Sequence, residues 1–319
     1  MQASASADPA NGFRRPPAGG GSRADRVDVS ALLAPPGEGP IRYAGHESLP
    51  VAGHQLGELL AQEAGPALEE ARLVELHHAI TNADRAVGAR VGGLIGKRFG
   101  AGKPPGRVRA YFEGAAGQSF GAFLAAGVTL TLTGEANAYV GKGMSGGRIV
   151  VIPPEDDAGD PVLLGNTVLY GATGGELYCA GRAGERFAVR LSGASAVVEG
   201  TGGNPCEYMT AGTVVLLGEV GRNLGAGMTG GEVYVFDPGG VLRARLNDEL
   251  VDAGRLTMPE AEPLRALVER HVRYTSSARG AGLLEDWGAA VESFWCIRPR
   301  ADVDRLSRVA EGTAAEGGS

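Results

Sequence analysis

Two glycine-rich hexapeptides have the residue types and spacing of a phosphate-binding loop. GKGMSG (141–146) and GAGMTG (225–230) both match G-x-G-x-x-G. A dinucleotide-binding loop must leave a strand, begin a helix and precede an acidic residue by about 20 positions. Here each hexapeptide is followed at once by a β-branched run, RIVVI or EVYVF. The context therefore favours structural corners over a nucleotide site.

The histidines and cysteines show no metal-binding or nucleophilic pattern. His77 and His78 are adjacent, and neighbours on a strand point to opposite faces, so they cannot chelate one metal together. The cysteines, at 179, 206 and 296, contain no CxxC pair. Cys206 has no histidine near it in the sequence, so we interpret it, like Cys179, as a small buried apolar residue. We predict no catalytic, cofactor-binding or metal-binding residue in this chain.

Composition argues against nucleic acid and membranes as partners and indicates the cellular compartment. The 319 residues carry 37 acidic and 30 basic side chains, a formal charge of −7, which argues against nucleic acid as a partner. No run of 18 apolar residues occurs, so no membrane association is expected. The odd cysteine count and the polar first residues, which lack a signal-peptide apolar stretch, predict a cytoplasmic location.

The elements that would position any site fall into five segments. Residues 1–45, rich in Pro, Gly and Ser, and residues 306–319 are expected to be disordered tails. Residues 46–106 form a helical and mixed lead-in, with a strand near 73–80 and Asp84 as a candidate N-cap of a helix ending near Arg98. A glycine-rich β segment covers 107–240. Helical spacing returns in 241–305, where helices are expected to cap an exposed edge strand.

The β segment contains a repeat of about nineteen residues. Six times, a triplet of small residues precedes a strand-like run, and the third positions of the triplets are 127, 147, 175, 194, 212 and 231. The steps are 20, 28, 19, 18 and 19 residues, and the long step contains a hydrophilic insertion at 153–161. A unit this short cannot bury its apolar face alone, so neighbouring units must stack.

Stacking of this kind predicts a mainly β fold, a single-stranded parallel β-solenoid of about six coils with flanking helices. A β-sandwich has strands of similar length, but it would show hairpin turns rather than one corner sequence repeated six times. We assign the corner glycines to close packing and positive φ; they are Gly127, Gly146, Gly147, Gly174, Gly175, Gly212, Gly230 and Gly231. Charged residues near these corners either stack as ladders or face a partner, and the partner-facing candidates are Arg148, Glu176, Arg186, Glu207 and Arg222.

Several long segments together resemble one protein family. They include YVGKGMSGGRIVV (139–151), GNTVLYGATGGELYCAG (165–181) and GRNLGAGMTGGEVYVFD (221–237), with ITNADRAVGARVGGLIGKRFG (80–100) upstream and NDELVD (247–252) downstream. In order and spacing they resemble the C-terminal domain of the glutamate synthase large subunit, over about residues 55–300. The resemblance implies a right-handed parallel β-helix, in agreement with the solenoid inferred from the repeat.

The same resemblance implies a role without catalysis. In that family the amidotransferase domain supplies a cysteine nucleophile and the synthase domain carries FMN and an iron–sulfur cluster, and this sequence contains neither. The expected function is therefore that of a non-catalytic structural subunit in a split glutamate synthase-type complex that makes glutamate or an N-substituted glutamate. Its partners would be a glutamine amidotransferase subunit and an FMN-binding synthase subunit, which would hold the FMN and the iron–sulfur cluster.

Two other functions remain open from the sequence. One is a stand-alone β-helix scaffold or interaction protein with no flavin-bearing partner. The other is a component of a formylmethanofuran dehydrogenase-type complex, since one of the subunits of that enzyme resembles the same domain. The segments upstream and downstream of the repeat favour the glutamate synthase family.

Overall fold

The computed structural model describes residues 55–154 and 159–301, together with Ser30 and Ala34. The chain divides into two units, 1–51 and 52–319, and every helix and strand named below lies in the second. The predicted tails, 1–45 and 306–319, fall outside the described residues except for Ser30 and Ala34.

Within residues 52–319, the described part of the chain contains six α-helices and twelve strands. The helices are α1 (Gln55–Glu63), α2 (Gly65–Glu69), α3 (Ala89–Phe99), α4 (Met258–Thr275), α5 (Ala278–Glu285) and α6 (Trp287–Glu292). The strands are β1 (Leu73–Ile80), β2 (Arg107–Ala116), β3 (Val128–Ala136), β4 (Ser145–Ile152), β5 (Val162–Leu164), β6 (Gly174–Cys179), β7 (Arg182–Ala183), β8 (Ser192–Val198), β9 (Ala211–Leu216), β10 (Glu232–Phe236), β11 (Val251–Arg255) and β12 (Phe294–Pro299). The prediction of a mainly β fold is confirmed.

Most of the strands form one long, largely parallel sheet. Its order is β1-β2-β3-β4-β6-β8-β9-β10-β12-β11. Outside this order, β5 pairs with β3, and β7 pairs with β5. All pairs from β1 to β10 are parallel. The six runs that the repeat predicted as strands are β3, β4, β6, β8, β9 and β10, so those strand predictions are confirmed.

The register places equivalent residues of successive repeats side by side. One buried row crosses six strands and consists of Leu130, Ile149, Leu177, Ala196, Val214 and Val233. Because alternate strand residues point to opposite faces, this row lines the inner face of the sheet. Buried aliphatic rows of this kind are what parallel strands covered on both faces require.

The parallel sheet begins earlier in the chain than the predicted boundary at residue 107. β1 pairs with β2 from Leu73↔Arg107 to Ile80↔Gly114, and β2 pairs with β3. Neither β1 nor β2 follows a small-residue triplet of the form that marks the other six units. The repeat signature therefore missed two strands that carry the same parallel pairing.

Three helices close the first end of the inner core. Leu60 on α1 and Val91 and Ile95 on α3 are fully buried in the same apolar cluster as the strand rows. The prediction that Asp84 caps α3 is wrong, because the N-cap is Gly88 with φ +97°. The Asp84 carboxylate instead accepts hydrogen bonds from the amide and hydroxyl of Thr81, each at 2.9 Å.

The other end of the sheet is closed by strands, not by helices. β12 pairs antiparallel with β10, and β11 pairs antiparallel with β12. The expected helical cover of this edge is therefore wrong, because the free N–H and C=O groups of an edge strand are satisfied in register by another strand. Helix α4 lies instead on the outer face of the sheet, where Leu264 and Val268 pack with Tyr178 and Val197.

No helix within the described ranges combines the length and apolar character that crossing a lipid bilayer requires.

Candidate functional site

Six corner segments of the chain share one unusual backbone conformation. In each segment the first, third and fifth residues have positive φ, between 54° and 74°. We call them the left-handed corners; they are residues 119–123, 139–143, 167–171, 186–190, 204–208 and 223–227. The G-x-G part of each hexapeptide, Gly141 with Gly143 and Gly225 with Gly227, supplies the third and fifth positions of its corner. The interpretation of both hexapeptides as corners rather than as the start of a helix is confirmed.

Backbone hydrogen bonds join successive left-handed corners in both directions. Tyr139 N donates to Asn166 O at 2.8 Å, while Gly141 N donates back to Phe120 O at 2.9 Å. The same two bonds recur at the later corners, for example from Asn204 N to Arg222 O at 2.7 Å and from Cys206 N to Phe187 O at 2.7 Å. The corner is thus a continuous ladder that holds each unit at a fixed spacing from the next.

Side-chain amides reinforce the ladder at its last units. Asn247 Nδ2 donates to Asn223 Oδ1, and Asn223 Nδ2 donates to Asn204 Oδ1, both at 2.8 Å. Asn204 and Asn223 also occupy the first left-handed position of their corners, and asparagine tolerates this conformation better than most residues. Asparagine at positions 204 and 223 therefore supplies both the side-chain hydrogen bonds of the ladder and a residue that tolerates positive φ.

The glycines at the entrances of the strands meet two different constraints. Gly127, Gly147, Gly175, Gly212 and Gly231 have φ between +77° and +104°. Gly146, Gly174 and Gly230 do not have positive φ, but a Cβ there would lie 2.7, 2.7 and 2.1 Å from backbone atoms of the preceding unit. Close approach of two backbones, rather than φ, therefore requires glycine at these last three positions.

Two of the charged residues singled out from the sequence form an ion pair beneath helix α4. Arg148 Nε donates to Glu176 Oε2 at 2.8 Å, and the Arg148 guanidinium stacks 4.1 Å from the Tyr274 ring centroid. The Tyr178 hydroxyl donates to Glu176 Oε1 and accepts from Arg270 Nε of α4. Burial is the main cause that raises the pKa of the Tyr178 phenol to about 12. This network fastens α4 to the sheet.

A second Glu-x-Tyr pair performs the same task three strands away. The Tyr234 hydroxyl donates to Glu232 Oε2 at 2.9 Å, and Arg298 of β12 donates to Glu232 Oε1 at 2.7 Å. Arg298 also pairs with Glu260 in the first turn of α4. Helix α4 is therefore anchored near both of its ends by an arginine–carboxylate network, and neither network was visible as a pair in the sequence.

The remaining three charged candidates lie along the left-handed corners. Arg186 Nε pairs with Glu207 Oε2 at 3.0 Å across one step of the ladder. Arg222 is exposed and has no carboxylate partner among the described residues. The structure thus brings Arg148 to Glu176 and Arg186 to Glu207, and it leaves Arg222 in solvent.

A buried polar cluster connects strand β8 to the C-terminal helices. Glu199 accepts hydrogen bonds from the Ser277 hydroxyl and from His271 Nε2, and Arg279 Nε lies 3.5 Å from its second oxygen. Burial by itself would raise the pKa of the Glu199 carboxyl, but these donors and charges outweigh it and lower the pKa. His271 is fully buried, and its Nδ1 has no hydrogen-bond partner within the described residues.

The cysteines and the adjacent histidines occupy structural positions. Cys179, Cys206 and Cys296 are buried free thiols. Burial is the first cause that raises their pKa values, to about 12 for Cys296, so none is a ready thiolate at neutral pH. His77 stacks on Tyr111, whereas His78 Nε2 lies 2.7 Å from Glu63 Oε2 of α1. In the part of the chain that the structure describes, no group of three or more His, Cys, Asp and Glu could hold a metal ion.

An open polar groove of about 460 Å³ lies beside the first three left-handed corners. Its polar lining includes Arg85, Gln118, Glu135, Asn137 and Asn166. Arg85 and Glu135 make no ion pair with any described residue. The lining residues supply charges of both signs and amide groups, but no serine, cysteine or histidine that could act as a nucleophile or base.

Comparison with known proteins connects these features with one family. A family model described as the GXGXG motif matches residues 57–300. The chain is 42% identical over 309 residues to the chloroplastic ferredoxin-dependent glutamate synthase of Spinacia oleracea, covering 93% of this chain and 19% of that protein. It is 44% identical over 298 residues to ferredoxin-dependent glutamate synthase 2 of Synechocystis sp., covering 89% and 19%. It is 39% identical over 299 residues to the large chain of glutamate synthase [NADPH] of Bacillus subtilis, covering 92% and 20%. The chain therefore spans about a fifth of the length of these relatives.

Proposed function

Because this chain belongs to the GXGXG family and matches glutamate synthases over about nine-tenths of its length, we propose that it is the non-catalytic structural part of a glutamate synthase-type complex. The catalytic work would reside in a glutamine amidotransferase chain and an FMN-bearing synthase chain, which would also hold the iron–sulfur cluster. The complex would release ammonia from glutamine and use it to form glutamate or an N-substituted glutamate reductively.

The fold that we propose for this role is a right-handed parallel β-helix. Two observations support it: the parallel register that continues from β1 to β10, and the left-handed corners that repeat in step with the strands. A right-handed path is expected because nearly all crossover connections between parallel strands have that hand. Ladders at strand and corner would make each unit rigid with respect to its neighbours.

Rigidity is the property that such a complex would use. Ammonia that passes between two catalytic centres must be kept from bulk water, where it would be protonated and lost. A rigid element bound to both catalytic chains would keep their openings in register and supply part of the wall. The observation that carries this proposal is the collinear match over residues 57–300, which includes the corners, the strands and the C-terminal helices.

We also propose a cytoplasmic location for the complex. The three cysteines are buried as free thiols, which agrees with a reducing compartment. Separate catalytic chains are the arrangement that we favour for the complex.

The test is purification of the tagged protein from its native cells at native expression level. We expect a glutamine amidotransferase chain and a yellow, FMN-containing chain to be retained, with glutamate formation that depends on glutamine. The intact mass of the tagged polypeptide distinguishes separate chains from one fused chain. The tag expressed alone in the same cells is the control and should retain neither partner.

A colourless protein that retains no amidotransferase would overturn this proposal. In that case a stand-alone scaffold would be the better account of the same fold.

A further inference from the structure

The solvent side of the left-handed corners carries a line of aromatic and cationic side chains. Phe123 is 56% exposed and Tyr208 is 48% exposed, although both are large and apolar. Arg190 is exposed, and the half-buried members are Tyr139, Lys142 and Tyr170. We call these six residues the corner ridge. With strands about 4.8 Å apart, the four steps from Phe123 to Tyr208 cover about 19 Å.

The ridge side chains are held in place by neighbouring units. The Phe123 ring covers Gly143 of the next corner, where an added Cβ would come within 2.7 Å of the ring. Tyr208 covers Gly227 in the same way. Arg190 lies 5.6 Å from the Tyr208 centroid, and Lys142 Nζ lies 5.4 Å from that of Tyr139. A surface ordered in this way loses little side-chain entropy when a partner binds.

Neither core packing nor backbone preference explains the bulky residues on the ridge. Phe123, Arg190 and Tyr208 occupy the fifth position of their corners with φ of +55°, +54° and +56°. The other three corners have glycine at this position, the residue that adopts it without strain. Large side chains are thus held in a left-handed conformation while about half of Phe123 and Tyr208 faces solvent. A binding role accounts for that combination.

The charge of the ridge differs from that of the whole chain. The protein carries −7, whereas the two cations of the ridge, Lys142 and Arg190, have no carboxylate partner among the described residues. Glu207, the acidic residue at these corners, is already paired with Arg186. A complementary surface would present carboxylates opposite the cations and apolar side chains opposite the rings.

We propose that the corner ridge docks an acidic segment of a protein partner. Aromatic residues and arginines that are surrounded by ordered neighbours are typical anchor residues of protein interfaces. A polyphosphate is disfavoured as the occupant because the chain as a whole is anionic. The assignment of that partner to the catalytic chains rests on the function proposed above, whereas the docking surface itself does not.

A photo-cross-linker at the ridge identifies the occupant. The full chain, expressed in its native cells with p-benzoylphenylalanine in place of Phe123, should cross-link to an Asp- and Glu-rich segment of one protein. The same cross-linker in place of Val241, which is also 56% exposed and lies off the ridge, should not capture that segment. Absence of a cross-link, or a cross-link to nucleic acid or to a segment without acidic residues, would overturn the docking proposal.

Charge reversal then measures the contribution of the cations. A synthetic peptide of the cross-linked segment should bind the Lys142→Glu, Arg190→Glu double variant at least tenfold more weakly than the unaltered chain. The Lys97→Glu, Lys103→Glu variant changes the net charge by the same amount at exposed lysines off the ridge, and it should bind like the unaltered chain. Equal weakening by both double variants would overturn a specific role of the ridge.

The two proposals fail in distinguishable ways. An acidic cross-linked segment from a chain that is neither an amidotransferase nor a flavin-bearing synthase would support the ridge and contradict the proposed function. Capture of both catalytic chains without a cross-link at position 123 would support the proposed function and contradict the ridge.

Discussion

At the scale of residues, the backbone path at the corners is determined by hydrogen bonds to neighbouring units rather than by the conformational preference of the corner residues. Alternate corner positions have positive φ, yet many are occupied by side chains that rarely adopt it, such as Leu169, Arg186 and Tyr208. Each such residue costs of order 1–3 kcal/mol and persists only where the surrounding structure determines it. The hydrogen bonds that each corner makes to the units before and after it supply that determination.

We expect Gly147→Val to destabilise the protein by about 2–4 kcal/mol. Gly147 has φ +77°, and a Cβ there would lie 2.6 Å from Ala125 O and 2.7 Å from Val128 O. Gly254→Val is the matched control, because this strand residue lacks positive φ and has open space at its Cβ position. Urea unfolding compares the two variants. Equal stability would contradict the close approach at the entrance to β4.

Two equivalent corner glycines separate backbone strain from steric contact. Gly143 and Gly171 have φ of +63° and +62°, but a Cβ would meet Phe123 at Gly143 and nothing within 4 Å at Gly171. We expect Gly171→Ala to cost about 1–2 kcal/mol from the left-handed backbone, and Gly143→Ala about 1 kcal/mol more from displacement of the ring. The additional cost should vanish in a Phe123→Ala background. Thermal unfolding of the double-mutant cycle measures it, and an undiminished difference would show that the ring is not its cause.

At the scale of elements, helix α4 and the start of α5 are fixed to the sheet by three carboxylates, of which Glu199 is buried and Glu176 and Glu232 are half-buried. Glu176, Glu199 and Glu232 each receive donors from segments far away in the sequence, such as Arg270 and His271 of α4. Removing one member of such a network leaves its partners unsatisfied, which costs more than the net value of the hydrogen bonds. These contacts and the apolar stripe of α4, which packs against Tyr178 and Val197, together determine where the helix lies.

Glu199→Gln should lower stability by about 1–3 kcal/mol at pH 7. The folded-state pKa of Glu199 lies below its ordinary value of 4.5. The ionised carboxylate therefore stabilises the fold above about pH 4.5, and this contribution is lost as the pH falls through the lower, folded-state pKa. The difference between the unaltered chain and the variant should consequently shrink at acidic pH, as measured by urea unfolding at pH 7 and pH 3.5.

The control for this prediction is Glu75→Gln. Glu75 forms an exposed ion pair with Arg109 and should change stability by less than about 1 kcal/mol. A Glu199→Gln difference that stays constant from pH 7 to pH 3.5 would show that its carboxylate does not titrate as described.

The sequence predicted the repeated strands better than it predicted how the last edge of the sheet is covered. The six repeated runs became strands because glycine triplets and β-branched residues are local signals, and the spacing of nineteen residues fixed their order. The run FWCIRP, which became β12, carries no comparable signal, since its strand conformation depends on the edge of β10 about sixty residues earlier. The hydrogen bond between Tyr178 and Arg270 joins residues that are 92 positions apart, so no local sequence pattern indicates it either.

The candidate site was predictable only where glycine marked it. The G-x-G segments Gly141-x-Gly143 and Gly225-x-Gly227 predicted two of the six corners. Phe123 and Tyr208 have the same backbone as Gly143 and Gly227, but no residue-level preference points to it. Aligning the six units on their strands would have placed these side chains in the glycine column, and that is the signal that could have found the ridge.

At the scale of the whole molecule, the second unit holds its own apolar core. The core cluster extends without interruption from Leu56 of α1 to Ile297 of β12, all within residues 52–319. Among the described residues, this cluster is the single hydrophobic core that an independently folding domain requires.

Deleting residues 1–40 should therefore leave the stability of the remaining chain unchanged to within about 1 kcal/mol. This stretch is rich in Pro, Gly, Ala and Ser and has few large apolar residues. Solubility, circular dichroism and the midpoint of urea unfolding provide the comparison with the full chain. Loss of soluble protein would show that the segment contributes to folding.

The ladders of the left-handed corners also have a mechanical consequence. At the left-handed corners each unit bonds to the units before and after it, so a load applied along the stacking direction acts on one corner interface after another, except from β6 to β10, where helix α4 bridges the units. The stack should then peel in discrete steps, each releasing about nineteen residues, or roughly 60 Å of extended chain. A load applied along the strands is instead shared by many hydrogen bonds at once. The corners should therefore separate readily under a load along the stacking direction and resist a load along the strands.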